Sequence, residues 1–146
     1  MAIVNQNSTT YTPLGSSYEG FNPAIASGTV NLPIVAANNS GFYTSMQIQV
    51  VSGNPNVTVD YSPNTGGAFN PANDSKSLTT GQTWTLIQAG VPGPLTGVNN
   101  WSTAGRYVGS AQVSATGGTI IVIVNYNKTG AVTGDTLFTY DGFNAP

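Results

Sequence analysis

Residues 42–50 read Phe42-Tyr43-Thr44-Ser45-Met46-Gln47-Ile48-Gln49-Val50. Phe42, Thr44, Met46, Ile48 and Val50 fall at every second position, with Tyr43, Ser45, Gln47 and Gln49 between them. Successive side chains of a strand point to opposite faces, so a period of two predicts a strand with one buried face and one wet face. The pattern returns on either side. Val57, Val59 and Tyr61 alternate with Thr58 and Asp60, and Trp84 and Leu86 alternate with Thr83 and Thr85. Tyr107, Gly109, Ala111, Val113 and Ala115 form another inward set, with Val108, Ser110, Gln112 and Ser114 opposite. The run Thr119-Ile120-Ile121-Val122-Ile123-Val124 is β-branched throughout and apolar on both faces, which predicts a central strand covered on both sides. No window offers a helical stripe.

Turn-forming residues separate these runs: Asn54-Pro55, residues 63–67, residues 90–94, and Gly117-Gly118. Gly117-Gly118 lies between two strong strand patterns and predicts a tight hairpin. Pro33 has no N–H to give a ladder, so residues 30–36 are expected at a sheet edge. The expected fold is all-β: a single antiparallel β-sandwich, Ig-like or jelly-roll-like, of seven or eight short strands. Its domain is expected over residues 29–146, preceded by a strand-bearing N-terminal arm over residues 1–28.

The composition removes most chemistry. Of 146 residues only three are Lys or Arg and five Asp or Glu, with no His and no Cys. Nucleophile systems built on His or Cys, disulfides, and zinc sites of the Cys/His kind are therefore excluded. Three cations do not make a phosphate-tracking groove, so no nucleic-acid partner is expected. At 39% hydrophobic and net charge −2 the chain does not have the composition of a disordered segment. Its polar surface must rest on amides and hydroxyls, and so little net charge does little to keep copies apart. No segment reaches the roughly 18 apolar residues of a membrane helix, so no membrane insertion is expected. The start, Met1-Ala2-Ile3-Val4-Asn5, lacks the basic and apolar regions of a signal peptide, so export implies a leader already removed.

The two ends repeat each other. Ile3-Val4-Asn5-Gln6-Asn7 returns as Ile123-Val124-Asn125-Tyr126-Asn127, and Tyr18-Glu19-Gly20-Phe21-Asn22 returns as Tyr140-Asp141-Gly142-Phe143-Asn144. The blocks keep their order, and their spacers differ by two residues. The chain thus carries two segments suited to one structural slot. The arm belongs to a preceding unit, or completes a neighbouring copy by strand addition, or is an extra edge strand of coincidental similarity. The first two give a head-to-tail contact, which propagates as a filament unless it closes into a ring.

Leu32-Pro33-Ile34-Val35, residues 38–44, Gln47-Ile48-Gln49-Val50, residues 57–61 and 107–113, Ile123-Val124-Asn125 and Tyr140-Asp141-Gly142-Phe143 follow one another in an order that resembles the tandem β-sandwich repeat modules of exported bacterial cell-surface proteins. That resemblance implies secretion and a structural or adhesive role, and brings no catalytic residues. The chain departs from it in holding one module and in its Pro-rich residues 90–94.

Among the carboxylates, Asp60 sits on the polar face of a patterned strand, and Asp74 and Asp135 lie in stretches where Asx turns explain them. Glu19 and Asp141 are equivalents within the repeat. No pair stands out as the two acids of a glycosidase, no Asp-rich loop of calcium-binding type exists, and neither an enzyme nor a cofactor is expected. The expectation is a non-enzymatic structural subunit of an extracellular filament or surface layer, whose partners are copies of itself. Its subunit contacts are expected at Ile3, Val4, Tyr18, Phe21, Tyr140 and Phe143. The alternatives are a carbohydrate-binding or adhesion module with Tyr43 and Trp101 as glycan-stacking platforms, and a virion coat or decoration protein.

Overall fold

The alternation over residues 42–50 is the first half of a single strand of 20 residues. A computed structural model of the chain describes residues 3–7, 15–65, 69–90, 94–103, 105–128 and 137–144. Its strands are β1 (Ile3–Asn7), β2 (Gly15–Glu19), β3 (Thr29–Ala37), β4 (Phe42–Tyr61), β5 (Asp74–Ser77), β6 (Thr83–Ile87), β7 (Tyr107–Lys128), β8 (Phe138–Asp141) and β9 (Phe143–Asn144). Helical geometry among the described residues is confined to single 3-10 turns at Pro23–Ile25 and Pro94–Thr96.

Strands β4 and β7 organise the molecule. They pair antiparallel from Phe42↔Lys128 to Tyr61↔Ala111. The other edge of β4 takes β6 along residues 45–49 and β5 along residues 56–59. The other edge of β7 takes β3 at its first half and β8 at its second, and β9 adds to β3 at Val30 and Asn31. One layer is therefore β6–β4–β7–β8 and the other β5–β4–β7–β3–β9, with the two long strands running through both.

This arrangement corrects two turn expectations. Gly117-Gly118 closes no hairpin, and Asn54-Pro55 ends no strand. Both pairs lie inside β7 and β4, where Gly53 faces Gly118 and the register shifts twice, between Val50 and Ser52 and between Gly53 and Asn56. Such bulges bend the paired strands and strengthen their twist. Across the bend the inward residues of β4 change from Thr44, Met46, Ile48 and Val50 to Val57, Val59 and Tyr61, all buried. Those of β7 change from Tyr107, Ala111, Val113 and Ala115 to Ile120, Val122 and Val124. Gly53 and Gly117 sit at φ +80 and +94. A Cβ on Gly53 would overlap the Gly117 carbonyl, so the crossing of the two bent backbones requires glycine there.

Bending the strands over lets both halves fill one core. Val30, Leu32, Met46, Ile48, Leu86, Val113 and Ile120 belong to a single apolar cluster. Fully burying a side chain of this kind is worth about 1.5–3 kcal/mol, so many such residues can hold a chain without disulfides. Pro33 lies at an irregularity of β3, between Leu32 and Val35, and β9 covers the outer edge of β3 only as far as Asn31. Residues 30–36 were expected at a sheet edge; Val30 and Asn31 are instead paired on both sides, and Pro33 lies beyond them where the edge is open. The fold is an antiparallel all-β sandwich.

Residues 3–7 and 15–19 form a separate two-stranded sheet. The Ser16 hydroxyl donates to Thr139 Oγ1 at 2.5 Å, which sets β2 beside β8. Chain connection to the sandwich begins at Ser27, whose backbone exchanges hydrogen bonds with Ile120 at 3.1 and 2.8 Å.

Candidate assembly site at the repeated hairpin

The sequence repeat is also a repeat of strand pairing. In β1–β2 the Cα partners are Ile3↔Glu19, Val4↔Tyr18 and Asn5↔Ser17. In β7–β8 they are Ile123↔Asp141, Val124↔Tyr140 and Asn125↔Thr139. Each residue of one hairpin meets the counterpart of the residue it meets in the other. Register in a hairpin is weakly fixed unless side chains or turns impose it, so two hairpins with one register are one element built twice. The side chains of Ile3, Val4 and Tyr18 lie outside the described residues.

The second copy continues into the sandwich. Past Tyr140 the chain crosses from β7 to β3: Gly142 N donates to the Val122 carbonyl at 2.9 Å, and Phe143 pairs with Asn31. Gly142 is held so closely that a Cβ would overlap Val30 Cγ1 and press on Leu32 Cδ2 at 3.0 Å. The Tyr140 hydroxyl donates to the Ile34 carbonyl, and the Asn144 amide donates to the Ile25 carbonyl. Burial pushes the Tyr140 hydroxyl up to about 12. Phe143 remains 63% exposed at the rim of a cleft of about 590 Å³ shared with Pro33, Asp60 and Gln112. Phe21, its counterpart in the arm, is half-buried beside Val50, Gly81 and Ile121 in a cleft of about 330 Å³. The expected contact residues thus fall at two places: Tyr140 and Phe143 on the crossing tail, and Phe21 at the strand bend.

Trp101 is not available as a glycan platform. It is fully buried, with the rings of Phe69, Tyr61 and Tyr107 at 5.6, 5.7 and 6.0 Å from its own. Its Nε1 donates to the Thr96 carbonyl at 3.0 Å, so both the apolar body and the polar tip are spent inside. Tyr43 is half-buried on the outer face of β4, opposite Asn127, and shares no surface with Trp101.

Asp74 needs correction too. It belongs to β5 and is 1% exposed, where an Asx turn was expected. Its Oδ2 accepts from the Tyr61 hydroxyl at 2.9 Å and from the Asn99 amide at 3.3 Å, and its Oδ1 accepts from Val98 N at 2.6 Å. The chain of bonds extends inward: Gln88 donates to the Tyr61 hydroxyl at 3.4 Å, and the Thr44 hydroxyl donates to Gln88 Oε1 at 2.8 Å. Burial, then the Asp74 carboxyl, pushes the Tyr61 hydroxyl well above its ordinary pKa. The network ends on the backbone of Ala36, through Thr44, and of Ala72, through Asn99, and it ties Val98 and Asn99 to β5, a structural task. Its one legible signal was Tyr61 at an inward position of β4, because a buried phenol needs a partner. Asp135 lies outside the described residues. Among the described residues no three His, Cys, Asp or Glu side chains gather where they could hold a metal ion.

No family model matches this chain, and no curated protein matches it. Among solved structures it is similar to a crystal structure of Thermotoga maritima 1070, at 9% sequence identity and a TM-score of 0.52. The match covers 83% of this chain and 97% of that one, and what the two share is the fold.

Proposed function

We propose that this chain is a non-enzymatic structural subunit that joins head to tail with copies of itself, through its N-terminal strand, in an extracellular filament or surface layer. The observation that carries this reading is the doubled hairpin: one chain holds two copies of an element, in one register, while its sandwich has one slot for it. A spare copy is what a contact between successive subunits uses, and such a contact is heterologous and propagates. The near-uncharged surface supports the reading, since three cations and five anions on 146 residues repel weakly. The likeness of the strand motifs to modules of exported bacterial surface proteins is the reason for putting the assembly outside the cell.

Electron microscopy of the purified chain at micromolar concentration, beside a variant lacking residues 1–22, tests the proposal. Filaments or sheets that disappear with the arm are the expected result. Monodisperse single particles in both samples would sink it.

A further inference from the structure

We infer that the acceptor site for the arm is the slot that Tyr140-Asp141-Gly142-Phe143-Asn144 fills in its own chain, and that Tyr18-Glu19-Gly20-Phe21-Asn22 of a second copy enters it. This deepens the assembly reading and rests on it. The slot makes three side-chain demands, and the arm meets each at the matching position. The cradle formed by Val30 and Leu32 admits only a residue without Cβ, and the arm brings Gly20. The Ile34 carbonyl takes a tyrosine hydroxyl, and the arm brings Tyr18. At Asn31 the β3 edge pairs with the backbone of Phe143, whose ring is 63% exposed, so the pairing accepts Phe21 of the arm without selecting it. The Ile25 carbonyl takes an asparagine amide, and the arm brings Asn22.

The resident tail is held by two short strands, of four and two residues. Exchange loses no ladder. A donor's β2 on the recipient's β7 repeats the β7–β8 register, and the displaced β8 on the donor's β1 repeats the β1–β2 register. Swapping identical elements between copies is a low-cost route to association for this reason.

The full chain has no cysteine, so paired single-cysteine variants report the contact directly. Directly opposed residues of an antiparallel pair lie about 4.5–5.5 Å apart at Cα, within disulfide range. Phe21→Cys protein is mixed with Asn31→Cys protein carrying a size tag, under mild oxidation, with exposed Thr79→Cys as the control partner. A 21–31 heterodimer at least about tenfold above the 21–79 product is expected. Adding Gly20→Val to the Phe21→Cys chain should abolish it, because the new side chain cannot enter the cradle. A cross-link indifferent to Gly20→Val overturns the assignment of the slot. Oligomers by sedimentation without the 21–31 product overturn this inference and leave head-to-tail assembly standing; monomers throughout overturn both.

Discussion

Asp74 accepts from three donors: the buried Tyr61 hydroxyl, Val98 N and the Asn99 amide, which also donates to the Ala72 carbonyl. Removing an acceptor costs the desolvation of every donor it leaves, about 1–3 kcal/mol each before relaxation. Asp74→Ala should therefore destabilise the fold by about 2–4 kcal/mol, read as a lower urea midpoint. Tyr61→Phe takes away one donor and leaves Asp74 two, so its loss should be the smaller, and the opposite order would contradict the network. Tyrosine protonation gives a second residue-scale expectation. The Tyr140 hydroxyl is raised to about 12 in the fold, from an ordinary 10, so above pH 10 the unfolded chain releases this proton first. Its contribution is whole below pH 10 and is lost as pH rises from 10 through 12. Tyr61, raised in the same direction, adds to the loss. Alkaline titration followed by circular dichroism should show a shallower fall for Tyr140→Phe than for the parent chain. The inward residues of the strands were legible one by one, because alternation is a local property. Asp74 and Trp101 were not: their partners come from distant segments, and Asn73-Asp74-Ser75 reads locally as any polar turn.

The same distinction governs whole strands. A Gly-Gly pair between two β patterns signals either a tight turn or a bulge within one strand, and the flanking residues are alike in both. What decides is the opposing backbone: Gly53 faces Gly118, and β4 and β7 bend together. Three glycines at positive φ separate conformational strain from crowding. Gly81, at φ +83, has nothing near an added Cβ, and Gly117, at φ +94, has only ordinary contacts at 3.9 Å. Alanine at either should cost about 1–2 kcal/mol, the penalty of a left-handed conformation. Gly53→Ala would add an overlap with the Gly117 carbonyl, and should cost clearly more, about 3 kcal/mol or above. Thermal denaturation of the three variants checks the order. Equal losses would mean that the bend tolerates a side chain and that crowding at the crossing is unimportant.

At the scale of the molecule, the doubled hairpin makes a kinetic statement as well as a structural one. If association exchanges one hairpin for its copy, the ladders before and after are equivalent, and the resident tail must open before another arm enters. Local opening then limits the rate, and mild denaturant promotes opening of lightly held elements before it unfolds the core. Assembly followed by light scattering should therefore speed up at low urea and collapse only near the global unfolding transition. An encounter between preformed surfaces predicts the reverse, a steady slowing from the first addition. Salt separates a third possibility. Eight formal charges of mixed sign offer little steering, and screening between 0.05 and 0.5 M salt weakens only interactions between charges. The rate should change by less than about twofold over that range. A steep salt dependence would point to charged contacts elsewhere on the surface. A rate that rises in dilute urea and ignores salt is the signature of strand exchange between copies.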